Sequence, residues 1–210
     1  MAKKAFMSIS PFKVTINHKQ LLKEIHVKNA RAMSQKLRGV VEPKLQKKQD
    51  HLVKQFKVHP ITVEIDGGPR ATNSSGTLGG YGNLFSFIGF SSGSDPTRII
   101  EKIFREKITF KVRRRGSSGK YTIIFYIPSL EEIYALTPIP WAAGQSWVDG
   151  IEKGMSNLGS YLYSSSGFGS SVSGTGLQSK NKTSGVSFKN TPYVAKLLEN
   201  FKNRLRKLDK

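Results

Sequence analysis

The clearest periodicity in the chain lies between Ile99 and Ile127. Ile99, Ile100, Ile103 and Phe104 recur at the spacing of one helical face, and Asp95 followed by Pro96 supplies an N-cap with proline at the first helical position. Ile108, Phe110 and Val112 then alternate with Thr109, Lys111 and Arg113, the period of two of a half-buried strand. Gly116-Ser117-Ser118-Gly119 turns the chain, and Tyr121 to Ile127 returns as a partner strand. Two further apolar runs bounded by turn residues, Ile61 to Ile65 and Leu84 to Phe90 within NLFSFIGF, read as strands as well. The expected fold class is therefore α+β: a small, mostly antiparallel sheet of Ile61–Ile65, Leu84–Phe90, Ile108–Arg113 and Tyr121–Ile127, with the Asp95 helix packed on one face.

The flanking patterns are mostly helical. Phe12 to Ile16 alternates briefly and predicts a short edge strand. From His18 onward Leu22, Ile25, Asn29, Met33, Leu37 and Val40 recur every three or four residues, with Lys19, Lys23, Lys28, Arg31, Lys36 and Arg38 mostly off that stripe. Gly39 and Pro43 are expected to weaken or bend the helix, and a second helical run carrying Leu45, Leu52, Val53 and Phe56 follows. A helix from Gln20 to Val41 would be about 33 Å long, more than a small core requires, so part of it is expected to pack on a neighbouring subunit. Arg70 to Gly82 is a Gly/Ser/Thr-rich loop of a length that is usually functional or disordered.

Beyond the hairpin, Ser129 to Glu132 carries a capping-box spacing and begins a short helix through Ala135, which Thr137-Pro138-Ile139-Pro140-Trp141 ends. Gln145 to Glu152 reads as another helix, stopped at Gly154. Ser156 to Gly185 is too poor in apolar residues to form a core. It is expected to be an arm, with Tyr161, Tyr163, Phe168 and Leu177 as its anchors on a neighbouring subunit. Thr191-Pro192 opens a C-terminal amphipathic helix with Val194, Leu197, Leu198, Phe201, Leu205 and Leu208 inward and a basic outer face. The organisation predicted from chain order is a basic helical extension over 1–60, an α+β core over 61–154, the Ser/Gly-rich arm over 155–190 and the final helix over 191–210.

Composition sharpens this picture at two points. The 210 residues hold 34 Lys and Arg against 14 Asp and Glu, a formal net charge of +20, which favours a polyanion or an acidic protein as partner. No cysteine is present, which removes disulfide frameworks and thiolate metal sites. The start MAKKAFMSIS has no apolar run of signal length and no later stretch reaches membrane-spanning length, so the expected place of assembly is a cytosol, with no membrane partner.

Catalytic chemistry finds little footing. The four histidines, His18, His26, His51 and His59, lie in or beside the basic N-terminal segments without paired carboxylates, and His18 and His26 are not spaced as a helical zinc pair. Gly79 to Asn83 lacks the Gly-Lys-Ser/Thr of a phosphate-cradling loop. Glu131 with Glu132, and Asp149 with Glu152, fit capping or helix-surface roles. The expectation is a non-enzymatic chain without cofactor or metal. Arg113, Arg114 and Arg115, with Lys120 across the turn, form a basic hairpin tip suited to phosphate or to an acidic partner. No helix-turn-helix, zinc-finger, K-homology or RNA-recognition signature accompanies it.

The order of parts resembles a known family. A basic N-terminal helix leads into SSGTLGGYGNLFSFIGF; a helix and hairpin follow; then comes WAAGQSWVDGIEKG, aromatic and ending in an acidic residue and glycine. From Gln20 to Gly154 this is similar to the tail-completion, neck and head–tail connector proteins of tailed bacteriophages. The resemblance implies a virion structural protein. It would sit in a homo-oligomeric ring, such as a hexamer, around the DNA channel, assembled in the host cytoplasm. Portal or adaptor proteins and tail proteins would be its neighbours, with non-specific contact to packaged DNA. A basic nucleic-acid-binding protein acting alone, and a tail or baseplate subunit of the same particle, are the other readings.

Overall fold

The computed structural model describes residues 11–14, 30–79, 82–115, 120–140, 142–154 and 188–208. In chain order the elements are strand β1 (Pro11–Val14), helix α1 (Ala30–Lys57), α2 (Pro60–Asp66), a 3-10 turn (Gly68–Arg70), α3 (Leu84–Ile88) and α4 (Arg98–Glu106). Strands β2 (Thr109–Arg115) and β3 (Lys120–Tyr126), helix α5 (Leu130–Ala135), strands β4 (Pro138–Ile139) and β5 (Ala142–Ser146), helix α6 (Trp147–Lys153) and helix α7 (Val194–Leu205) follow. The class is α+β. One sheet has the order β1-β3-β2, all antiparallel, and β4 and β5 pair in a second.

The hairpin follows its alternation. Thr109, Lys111 and Arg113 are exposed while Phe110 and Val112 are half-buried, and Phe110 lies opposite Phe125 with ring centroids 6.2 Å apart. β1 pairs along the other side of β3, from Pro11 opposite Tyr126 to Val14 opposite Ile123. The expected edge strand therefore forms but begins one residue earlier, at Pro11, while Thr15 and Ile16 of the predicted stretch lie outside the described residues.

Two predicted strands are helices. In Ile61–Ile65 the buried positions are Ile61, Thr62, Glu64 and Ile65, with Val63 49% exposed. A strand would have buried Val63 together with Ile61 and Ile65. Pro60 stands in the first turn, where its missing N–H costs nothing, and the His59 imidazole Nδ1 accepts the Ile61 N–H at 3.3 Å. In Leu84–Phe90 every residue is buried, so periodicity cannot separate strand from helix. The ends decide: Asn83 Oδ1 accepts the Ser86 N–H at 2.9 Å as N-cap, and Gly89 closes α3 at φ 81°.

The two helical runs either side of Gly39 and Pro43 are one helix, since α1 runs through both for 28 residues, about 42 Å. Pro43 cannot donate to the Gly39 carbonyl one turn back, and its ring would crowd that residue. Both positions are exposed, so water can take the carbonyl, and a Cβ at Gly39 would meet nothing within 4 Å. The buried face runs uninterrupted on the other side, through Met33, Leu37, Val41, Leu45, Gln49, Leu52, Val53 and Phe56.

Contacts group the chain into two compact units. The first comprises Met1–Lys54, Lys102–Ser129 and Leu197–Lys210; the second comprises Gln55–Glu101 and Leu130–Lys196. Within the first, Met33, Leu37 and Tyr121 form a buried cluster with Val112 against it. Gln49, 5% exposed, donates from Nε2 to the carbonyls of Phe104 and Arg105 in the last turn of α4 and of Ile108 just before β2, at 3.2–3.3 Å, tying the middle of α1 to this corner.

The second unit is organised by aromatic rings. Phe85 meets Phe90 at 5.5 Å, Phe90 meets Trp147 edge-on at 5.8 Å, and Trp147 meets Tyr193 at 6.4 Å. Tyr193 also contacts Phe56 at 5.8 Å and His59 at 4.8 Å. Offset and edge-to-face pairs of this kind add about 0.5–1.5 kcal/mol each beyond their area. Two carboxylates serve as backbone acceptors here. Glu64, 1% exposed, accepts the Ser75 N–H at 2.8 Å and the Leu84 N–H at 2.7 Å, holding the Gly/Ser-rich loop at both places. Glu152 accepts the Ala195 N–H at 2.7 Å and the Tyr193 N–H at 3.3 Å at the start of α7, and the Tyr134 hydroxyl at 2.7 Å.

Candidate nucleic-acid interface

Charge divides unevenly between the two units. The segments of the first contain 26 Lys and Arg against 6 Asp and Glu, whereas those of the second contain 8 of each. The whole excess of +20 therefore belongs to the first unit. The second unit's carboxylates include Glu64 and Glu152, both spent on backbone amides.

The basic hairpin end lies in the charged unit. Arg113 stands opposite Thr122, Arg114 opposite Tyr121 and Arg115 opposite Lys120, so the four predicted tip residues occupy the last three rungs before the turn. All three arginines are exposed although they alternate in direction along the strand. At a mid-sheet position one of the two faces would bury a guanidinium, which is very unfavourable without a partner. The turn 116–119 lies outside the described residues, as do the predicted arm anchors Tyr161, Tyr163, Phe168 and Leu177, and His18 and His26.

A second basic group is brought together by the fold. Lys44, Lys48, His51 and Lys54 follow one another along α1 at three- and four-residue steps, and Arg204 reaches them from α7. Burial, then Arg204, then Lys44 lower the Lys48 pKa. Burial, then Arg204, Lys54 and Lys48, hold the His51 imidazole below its ordinary 6.5. Every charged group acting appreciably on either is a cation. His51 Nε2 is enclosed with no hydrogen-bond partner among the described residues. The i, i+4, i+7 spacing of Lys44, Lys48 and His51 was legible in the chain; the approach of Arg204 was not.

The second unit holds a cleft of about 320 Å³ lined in part by Lys57, Asp66, Asp95, Thr97 and Glu101. Its polar groups answer one another. Thr97 donates to Asp66 at 2.5 Å and Lys57 pairs with Glu101 at 2.9 Å. Burial raises the Asp66 pKa against the hydrogen bond from Thr97, with the Asp95 and Glu101 charges adding to the rise. Among the described residues no group of three His, Cys, Asp or Glu side chains is placed to hold a metal ion, and no helix is long and apolar enough to cross a membrane.

No family of known proteins, no curated protein and no solved structure matches the chain.

Proposed function

We propose that this chain is a non-enzymatic structural subunit of a tailed-bacteriophage virion, part of the neck or head–tail connector ring that completes the tail around the DNA channel. The observation that carries the reading is the order of elements: the long basic helix, the segment SSGTLGGYGNLFSFIGF, the helix α4 with hairpin β2–β3, and WAAGQSWVDGIEKG. That SSGTLGGYGNLFSFIGF ends in a helix rather than a strand leaves this order unchanged. In this role Arg113, Arg114, Arg115 and Lys120 face DNA or an acidic neighbouring ring, and portal, adaptor or tail proteins are the partners.

The confinement of the net charge to one unit also favours a simpler reading, a sequence-tolerant nucleic-acid binder acting alone. Light scattering and electron microscopy of the full chain separate the two. A concentration-dependent ring supports the connector; a monomer that binds free DNA with a steep salt dependence supports the binder. In particles, Arg114→Glu with Arg115→Glu should leave melting nearly intact and impair DNA retention or docking of the next ring. Particles that carry the change, keep their DNA and infect normally would remove the tip from the mechanism.

A further inference from the structure

We infer that Lys44, Lys48, His51 and Lys54 of α1, with Arg204 of α7, form a binding site for consecutive phosphates of a nucleic-acid backbone, separate from the hairpin tip. It does not rest on the neck assignment, since it needs only a phosphodiester ligand and one copy of the chain.

The geometry is that of a line, not a pocket. Lys44 to Lys54 spans ten residues of continuous helix, about 15 Å, with the first three side chains on one face and Arg204 beside them. A row of cations of that length suits a polymer of phosphates better than a single small anion. Lys48, His51 and Arg204 are each half-buried, which removes part of the water that would otherwise screen their repulsion. No ion pair offsets the cluster among the described residues. Asp50, the acidic residue on the intervening turn, is engaged by Arg105 at 3.4 Å. An arrangement of like charges held together by the surrounding fold is unfavourable for the empty protein and becomes favourable when an anion enters. The His51 ring, half-buried on the same helical face as Lys44 and Lys48, adds a further positive charge to the row once protonated.

Phosphate entry should therefore draw a proton onto His51. The groups that oppose this protonation in the free chain are Lys48 and Lys54 on its own helix and Arg204 from the facing one. A bound phosphate reverses their effect by neutralising them.

The test uses the full chain and a mixed-sequence DNA duplex, with fluorescence anisotropy across a salt series and NMR titration of the His51 ring. The expected result is salt-dependent binding whose log–log slope becomes shallower by about 0.9 for each cation removed, hence by about 1.8 in Lys48→Gln with Arg204→Gln. That variant should melt no lower than the parent, because it relieves repulsion. Arg113→Gln with Arg114→Gln should weaken binding independently, if the tip also meets DNA. The His51 pKa should rise on addition of duplex in the unaltered chain, a readout that stands even if the double variant fails to fold. An unchanged slope in Lys48→Gln with Arg204→Gln, or a His51 ring unmoved by saturating duplex, would overturn the inference. Equal displacement by polyglutamate at matched charge would also overturn it, in favour of an acidic protein partner. Ring assembly reports on the connector reading alone, so the two can fail separately.

Discussion

The hydroxyls of Thr62 and Tyr193 meet at 2.6 Å, 131 residues apart in sequence and with neither residue exposed to solvent. The bond joins the short helix α2 to the residue before α7, inside the aromatic group that includes Phe56, His59 and Trp147. Burial raises the Tyr193 pKa well above the usual phenol value, so the hydroxyl stays protonated. Tyr193→Phe should lower stability by about 1–3 kcal/mol, because it leaves the Thr62 hydroxyl buried without this partner. Thr62→Val should do the same from the other side. The double change should cost less than the sum of the two, measured by denaturant melts as a mutant cycle.

Glu64 predicts a different kind of loss. Glu64→Gln keeps the shape but turns one acceptor into a donor facing a backbone N–H, either that of Ser75 or that of Leu84. Destabilisation of about 1.5–3 kcal/mol is expected, the range for hydrogen bonds to charged groups. Hydrogen exchange should accelerate first at Ser75 and Leu84. Unchanged protection at both amides would show that the carboxylate does not hold the loop.

Gly39 should be replaceable with benefit. It lies exposed inside α1, and an added Cβ meets nothing within 4 Å. Gly39→Ala is expected to stabilise the chain by about 0.5–1 kcal/mol through the lost backbone freedom of the unfolded state. A lowered melting temperature would mean that the Gly39–Pro43 pair needs more room than the open surroundings of Gly39 suggest.

Acid should weaken the fold through two histidines. The His59 Nδ1 must be unprotonated to accept the Ile61 N–H, and burial holds its pKa below the ordinary 6.5. His51 is lowered as well, by burial and by Arg204, Lys54 and Lys48. For groups depressed in the folded state, the contribution is fully present above 6.5 and is lost as pH falls toward the folded values. Asp66, raised by burial, has the opposite sign: its share is present at pH below 3.8 and lost as pH rises through its folded value. His59→Asn can cap α2 without titrating, so its melting temperature should fall less steeply between pH 7 and pH 5 than the parent's, about the range where histidine titrates.

The hairpin gives a graded pair. Phe125 is fully buried and Phe110, opposite it, only half-buried. Phe125→Ala should cost about 3–5 kcal/mol and Phe110→Ala clearly less, while Thr109→Ala on the open face should be nearly silent. Comparable losses at Phe110 and Thr109 would mean that β2 is covered on both faces, as β3 is at Ile124 and Phe125.

The chain alone determined the elements whose signals are local and concordant. The hairpin was legible because alternation and turn residues agree. Helices α4, α5, α6 and α7 were legible as elements from their apolar spacing and nearby cap residues, but only α5 begins where its cap, Ser129, placed it. α4 and α7 start at Arg98 and Val194, two residues later than Asp95-Pro96 and Thr191-Pro192 imply, and Gln145 and Ser146 belong to β5 before α6. The basic character and the exposed end of β2 also follow from residue order, since three consecutive arginines cannot all avoid water-free surroundings elsewhere in a sheet. Tertiary structure decided the rest. In Ile61–Ile65 the alternation of apolar and polar residues pointed to a strand and was misleading, and in Leu84–Phe90 burial all round leaves periodicity silent. The caps from His59, Asn83 and Gly89 choose helix in both. Gly39 and Pro43 permit a continuous helix because both face water. Gln49 meets the end of α4, Glu152 the start of α7, and Arg204 the Lys44–Lys54 row, across separations that no local pattern encodes. The grouping of distant segments into one unit carrying the entire net charge and another carrying none is likewise a property of packing, because contacts, and not neighbours in the chain, decide which charges share a surface.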